Sequence, residues 1–357
     1  MRLTIRDMRA RGVLAPLARP LRTASGEIPA APLVLIDIET EEGPAGSAYL
    51  FGYSAVTIKA LVALLGDLAP LLRGKPAAPV ARFAELERNF RLLGKQGLLG
   101  MAISGIDMAL WDAQARAADM AVAEMLGGVC APIPAYDSHG MVDPRADRHR
   151  LEESLAHGFQ AIKIKVGDGD LARDVAMVAG VREIIGPNIR LMIDYNQSQT
   201  APEVVRRLKR LAEFDLHWVE EPVPAEDLVG HAQVRRESGV AVQTGENWWF
   251  GHDMAHAIAA GACDFAMPDL MKIGGVTGWL RAMGQAEAAS LPVSSHLFVE
   301  ASAHVLAVTP TAHWLEFLDT AGAILQQPPK VENGAVRPQG PGLGIVWKEA
   351  AVQRYAV

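Results

Sequence analysis

Past residue 130, short apolar runs alternate with longer stretches whose apolar residues recur at helical spacing. The runs are PIPAYDS, AIKIKV, RLMIDYN, LHWVEEP, AVQTGEN, DFAMPDL, LPVSSH and HWLEFL. Each carries a polar residue at or near its end: Ser138, Lys165, Asp194, Glu220, Glu246, Asp269, His296 and Glu316, at intervals of 20 to 29 residues. Such an interval holds one strand and one helix, so eight units of this kind predict a closed barrel of parallel strands. The short step to Glu316 still contains ASAHVLAVT. Beyond Glu316 the chain is rich in Gly and Pro without a helical period, so the last strand is expected to lack its helix.

Ahead of residue 130 the rhythm differs. Met1–Met8, Pro32–Thr40 and Ser47–Tyr53 read as strands, followed by helices over 55–72, 80–95 and 99–126, the last stopping at Gly127-Gly128. The expected fold class is therefore α/β: an N-terminal α+β capping domain over 1–128, a modified (β/α)7β TIM-like barrel over 129–320, and a segment over 321–357 returning to the cap. Strand–helix repeats also build open doubly wound sheets, but no GxGxxG opens a helix after the first strand and no Walker lysine is present. Gly274–Gly278 (GGVTG) reads as a tight turn before a helix.

Composition narrows the function. Of 357 residues, 50% are hydrophobic and 21% charged, with a net charge of -7, which disfavours a nucleic-acid partner. Two distant cysteines, Cys130 and Cys263, exclude a disulfide framework and a Cys-based zinc site. No stretch is expected to reach the roughly 18 apolar residues of a membrane span. The N-terminal arginines are interrupted by Asp7 and followed by no apolar leader core, so a cytoplasmic protein is expected.

Five of the eight strand-end positions are carboxylates. In a barrel they would share one rim, where repulsion and desolvation demand a cation. Asp194, Glu220 and Glu246 stand at equal steps and form an all-oxygen set suited to Mg²⁺, ahead of Mn²⁺ or Ca²⁺. Glu221 competes with Glu220, because strand neighbours point to opposite faces. Lys163 and Lys165 share a face, and two adjacent lysines are expected to depress each other's pKa, which suits a general base. Asp269, one strand from His296, is placed to orient its imidazole and leave Nε2 as a base. Glu316 is expected to be held protonated as a donor to a developing oxyanion. A base on each side of an α-carbon, with the carboxylate neutralised, describes racemisation. His139, His304 and His313 are read as structural.

The segments APLVLIDI, YLFGY, GIDMALWDA, AYDSH, KIKVG, DYNQS, VEEP, GENW, MPDLMKIGGVTGW, SSHLF and PTAHWLE resemble the enolase superfamily, mandelate racemase subgroup, over nearly the whole chain. That resemblance implies Mg²⁺ on Asp194, Glu220 and Glu246, Lys165 and His296 as opposed bases, Lys163 on the substrate carboxylate and Glu316 as electrophilic acid. It implies Ser138 and Asn196 as polar substrate contacts, and an apolar pocket from Phe51, Tyr53, Leu297 and Leu318, with Ser25, Leu21 and Ile28 on the covering loop. Ser25, Glu27, Thr244 and Val299 depart from the subgroup pattern. The implied activity is a racemase of aryl 2-hydroxy carboxylates acting through an enediolate, in a homo-oligomer, an octamer being frequent in the subgroup. The runner-up is an acid-sugar dehydratase using the same lysines and dyad, which the apolar cap disfavours.

Overall fold

The computed structural model describes residues 2–23, 26–167 and 169–357. The chain opens with an antiparallel sheet in the order β1 (Ile5–Thr23), β2 (Gly26–Thr40), β3 (Gly46–Phe51). Both strands of the first hairpin run much further than the sequence pattern predicts. Residues 10–22 hold three arginines and two prolines and show no clean alternation. Ladder pairing nonetheless continues from Pro16↔Ala30, across a register shift, to Leu21↔Ile28. Leu17 and Leu21 of β1 and Ile28 of β2 line the cavity at the barrel mouth.

Three helices follow, α1 (Ala55–Leu72), α2 (Pro79–Asn89) and α3 (Leu98–Ala117), then the single turn α4 (Val122–Met125). Ser54 caps α1 by accepting from the Val56 amide. Contrary to the sequence reading, α1 is long and apolar enough to cross a membrane, with 18 residues at a mean hydropathy of 1.8. Its buried stripe (Ile58, Leu61, Leu65, Leu68 and Leu72) belongs to the core it shares with the cap sheet. Helix α3 is buried almost all round and lies tight against β3: a Cβ at Gly46 would sit 1.9 Å from the Ala109 carbonyl.

The barrel alternates β4 (Ile133–Ser138), α5 (Arg148–Ala156), β5 (Ala161–Lys165), α6 (Leu171–Ile185), β6 (Arg190–Asp194), α7 (Ala201–Leu211), β7 (Leu216–Glu220), α8 (Leu228–Glu237), β8 (Val242–Thr244), α9 (Phe250–Ala260) and β9 (Phe265–Ala266). It continues with α10 (Leu270–Ile273), α11 (Gly275–Ala288), α12 (Val299–Leu306) and β10 (Leu315–Phe317). Strands β4 to β9 are parallel neighbours, and β10 returns to pair with β4. Between β9 and β10 the run 291–296 contributes bridges (Ala266↔Val293, Asp269↔His296, Val293↔Ala312) rather than a full strand. Pro292 has no N–H to give a ladder, yet its carbonyl accepts from Ala266 and closes the circle. Among the described residues β10 is followed by a short 3-10 turn (Gly322–Ile324) and the tail rather than by a barrel helix, so the architecture is the modified (β/α)7β barrel.

Period-2 alternation explains what each strand does. Ile162, Ile164 and Val166 face outward into the helix layer. On the inner face Tyr136, Ala161, Met192 and Trp218 fill the barrel floor. Two residues later along β4, β6 and β7, and two and four later along β5, the same face carries Ser138, Lys163 and Lys165, Asp194 and Glu220. Strand register aligns these ends: Ser138 beside Lys163, Lys165 beside Asp194, Asp194 beside Glu220.

The tail forms a small hairpin, β11 (Val331–Glu332) and β12 (Ala335–Val336), against β4. It then runs to the cap. Trp347 Nε1 donates to Asp37 at 2.6 Å, and α13 (Glu349–Arg354) offers Glu349 to Arg11 at 2.7 Å. The cap also meets the barrel through Tyr49, whose hydroxyl donates to the buried Glu300 on α12 at 2.6 Å.

Candidate active site

The strand ends converge below a cavity of about 630 Å³ lined from both units. Lys163, Lys165, Asn196, Glu246, His296, Glu316 and Ser138 line its polar base. Leu21, Ile28, Phe51, Tyr53, Leu297 and Leu318 supply its apolar wall. Ser25 lies outside the described residues. Glu27 is exposed, and neither it, Thr244 nor Val299 lines the cavity.

Asp194, Glu220 and Glu246 each place a carboxylate oxygen within 4.8 Å of the others, and all three are buried. Burial, with Asp194, Glu316 and Glu246 nearby, pushes Glu220 up to about 8 despite the Lys163 ammonium beside it. A buried oxygen-only set so crowded with negative charge fits a hard divalent cation. Asn196 steadies Asp194 through its backbone N–H (2.7 Å) and its amide (2.9 Å), and Trp218 and Gln243 donate to Glu220 at 3.2 and 3.1 Å. The structure separates Glu220 from Glu221. At φ 40, Glu221 turns out of the strand and accepts from Thr244 Oγ1 (2.6 Å) and the Gly245 amide (2.8 Å), so it supports β8 instead of joining the triad.

Each lysine has found a carboxylate, and Lys163 is not depressed as expected. Lys165 Nζ donates to Asp194 at 2.6 Å. Lys163 donates to Glu220 and, at 2.7 Å, to Glu316. Burial opposes its charge, but those two carboxylates outweigh it and hold the ammonium well above the usual lysine range. Glu316 likewise departs from the expected protonated acid. Burial would raise it, but Lys163, His296 and the Leu297 amide at 2.9 Å bring it down to about 2, so it stands as a carboxylate.

His296 Nδ1 lies 2.6 Å from Asp269 Oδ2. The other Asp269 oxygen accepts from the Met271 amide at 2.7 Å, capping α10. His296 Nε2 is not free: it faces Glu246 Oε2 at 3.3 Å. Burial disfavours the imidazolium, but Glu246 and Asp269 prevail and lift it to about 9.

The remaining histidines sit away from this cavity. His139 Nε2 meets Ser154 at 3.0 Å, His304 Nδ1 accepts the Ala123 amide at 3.1 Å, and His313 stacks on Phe265. Sequence reasoning missed several lining residues: Leu17, Met101, Gln197, Ser198, Asn247, Trp249, Lys272 and Thr320. Gln197 and Ser198 follow Asn196 directly and Asn247 follows Glu246, so loop continuation past each strand end was a usable signal. Leu17 and Met101 carried none, since only the tertiary fold brings the first hairpin and α3 over the barrel.

Residues 5–127 match the mandelate racemase / muconate lactonizing enzyme N-terminal domain, and residues 146–351 the enolase C-terminal domain-like family. An enolase from Bradyrhizobium, crystallised with magnesium and mandelic acid, is 54% identical, with a TM-score of 0.98 over 100% of this chain and 99% of its own. A 3,6-anhydro-alpha-L-galactonate cycloisomerase from Streptomyces coelicolor is 33% identical over 91% of both chains. A D-galactarolactone cycloisomerase from Agrobacterium fabrum is 32% identical over 92% of both. With family models matching both the cap and the barrel, the chain belongs to the mandelate racemase/muconate lactonizing enzyme family of the enolase superfamily.

Proposed function

We propose that this protein is a Mg²⁺-dependent racemase of an aryl 2-hydroxy carboxylate. The observation that carries the reading is the cavity itself: an amine and an imidazole open into one space whose covering wall is apolar. Similarity to the Bradyrhizobium protein that binds mandelic acid supports it.

Asp194, Glu220 and Glu246 would hold the ion, which when bound supplies positive charge to the substrate carboxylate. The chain's own groups do the rest. Lys163 contributes a buried cation, and Ser138 a hydroxyl, to the same carboxylate. Asn196 offers its amide to the α-hydroxyl. Lys165 takes or returns the α-proton on one face and His296 on the other, so one is a neutral base while its counterpart carries a proton. Asp269 holds the imidazole orientation through Nδ1. Leu21, Ile28, Phe51, Tyr53 and Leu318 exclude water from the ring side. Lys165 is now held by Asp194, so it becomes a base only when that carboxylate is engaged elsewhere.

The same lysines and dyad would also serve the elimination of a β-hydroxyl from a sugar acid, and the cycloisomerase relatives favour sugar-derived acids. Leu17, Leu21, Ile28 and Phe51 on the cap offer no partners to a polyol, and Gln197, Ser198 and Asn247 line the cavity from the barrel side instead. The deciding experiment is one enantiomer of mandelate with enzyme and Mg²⁺ in D₂O. Loss of optical rotation with α-deuterium incorporation is expected. Release of a 2-keto-3-deoxy acid from a sugar acid, with mandelate untouched, would overturn the reading.

A further inference from the structure

Lys272 lies on α10, three residues beyond Asp269, and lines the cavity with 6% of its surface exposed. Lysines this deep are normally ion-paired. The cavity's other two are: Lys163 with Glu220 and Glu316, Lys165 with Asp194. Among the described residues, no carboxylate pairs with Lys272. Its ammonium instead donates to Asn247 Oδ1 at 2.6 Å and stands 4.6 Å from the centre of the Tyr53 ring.

Those two partners come one from the cap and one from the barrel. Tyr53 comes from the cap, held at φ 57, with its ring edge-on to Phe51 at 5.0 Å. Asn247 follows Glu246, and its amide lies 3.3 Å from Glu246 Oε1. An ammonium over an aromatic face is attracted by the ring quadrupole, most strongly where water is excluded. Tyr53 is 42% exposed, and Phe51 and the Lys272 ammonium are two contacts that hold its ring at the cavity wall.

We infer that Lys272 is a positioning residue for aryl specificity: its ammonium holds the Tyr53 ring in place as part of the wall that receives the substrate's ring. This rests on the aryl 2-hydroxy acid reading above. A ring-bearing acid then gains from Lys272 through Tyr53, while a short alkyl acid that does not reach Tyr53 gains nothing.

The test compares mandelate with lactate, as substrate or as competitor, on the Mg²⁺-loaded enzyme, with calorimetric binding of both acids alongside. Lys272→Met is expected to raise the mandelate KM and Kd about tenfold, the weight of a partly desolvated cation–π contact, and to move lactate by less than about twofold. Lys272→Arg, which keeps a cation over the ring, should recover most of the loss. Adding Lys272→Met to Tyr53→Leu should cost nothing further. Equal losses for both acids, or additive losses in the double variant, would overturn the inference. If the methionine variant fails to fold, the arginine variant still decides: it must retain the mandelate preference. A wild-type enzyme that binds mandelate without exchanging its α-proton would sink the racemase reading and leave the binding cycle as the test of Lys272.

Discussion

Replacing Arg19 with methionine should loosen the first hairpin from the barrel and show itself in KM. Arg19 on β1 makes a bidentate pair with Asp137 on β4, at 2.7 and 3.1 Å. The neighbouring hairpin residues Leu17 and Leu21 line the cavity, and Asp137 precedes Ser138 at its base. The Asp137 side chain is 3% exposed and that of Arg19 is 32%. Removing one member of a fully buried pair costs roughly 3–5 kcal/mol. Two features reduce that here: water reaches the guanidinium, and Asp137 keeps Ser154 Oγ at 2.6 Å and His139 Nε2 at 3.2 Å. A cost of about 1–2 kcal/mol remains. Charged to the closed hairpin, it becomes a rise of roughly tenfold in the KM for mandelate, since 1.4 kcal/mol is a factor of ten. The kcat should hold within about twofold, because no reacting group moves. Polarimetry of mandelate with saturating Mg²⁺ reads both constants. Arg19→Lys, with one contact in place of a fork, should fall between. An unchanged KM with lowered thermal stability would show that the pair only supports the fold, and a loss confined to kcat would refute the argument.

Other expectations concern the site and its supports. His296→Asn should abolish α-deuterium exchange from one mandelate enantiomer and spare the other through Lys165, as followed by NMR in D₂O; equal loss from both would argue against two independent bases. Asp194→Asn should weaken Mg²⁺ binding in calorimetry by about a hundredfold or more, and chelation should remove activity that added Mg²⁺ restores. Glu300 is pushed up to about 7, chiefly by burial. A carboxyl raised in the fold contributes stability that is complete below its unfolded pKa of about 4.3 and is lost as pH climbs through 7, roughly 3 kcal/mol by pH 8. Denaturant titrations at pH 4.5 and 8 should therefore show wild type losing about 3 kcal/mol more than Glu300→Gln across that interval; parallel slopes would contradict the assignment.

The barrel was legible because its strands are short and each ends on a polar residue, so the repeat could be counted without knowing any contact. The rim groups were legible for the same reason: period 2 puts Lys163 and Lys165 on one face regardless of context. What stayed hidden depends on neighbours distant in sequence. The first hairpin's length is set by ladder pairing through Pro16 and Leu21, which no local pattern announces. The protonation of Lys163 and Glu316 is set by their meeting at 2.7 Å, across 153 residues of chain. Glu221 could be told from Glu220 only by the positive φ that turns it toward Thr244.

Asp269 has no spare oxygen: one starts α10 and the other grips the imidazole. A carboxylate anchored at both corners cannot swing, so the ring it steers inherits the stiffness of the helix behind it. Asparagine at this position would keep one duty and compromise the other, and glutamate, a methylene longer, would misplace both. Substitution here therefore disturbs the start of α10 and the seating of the imidazole together.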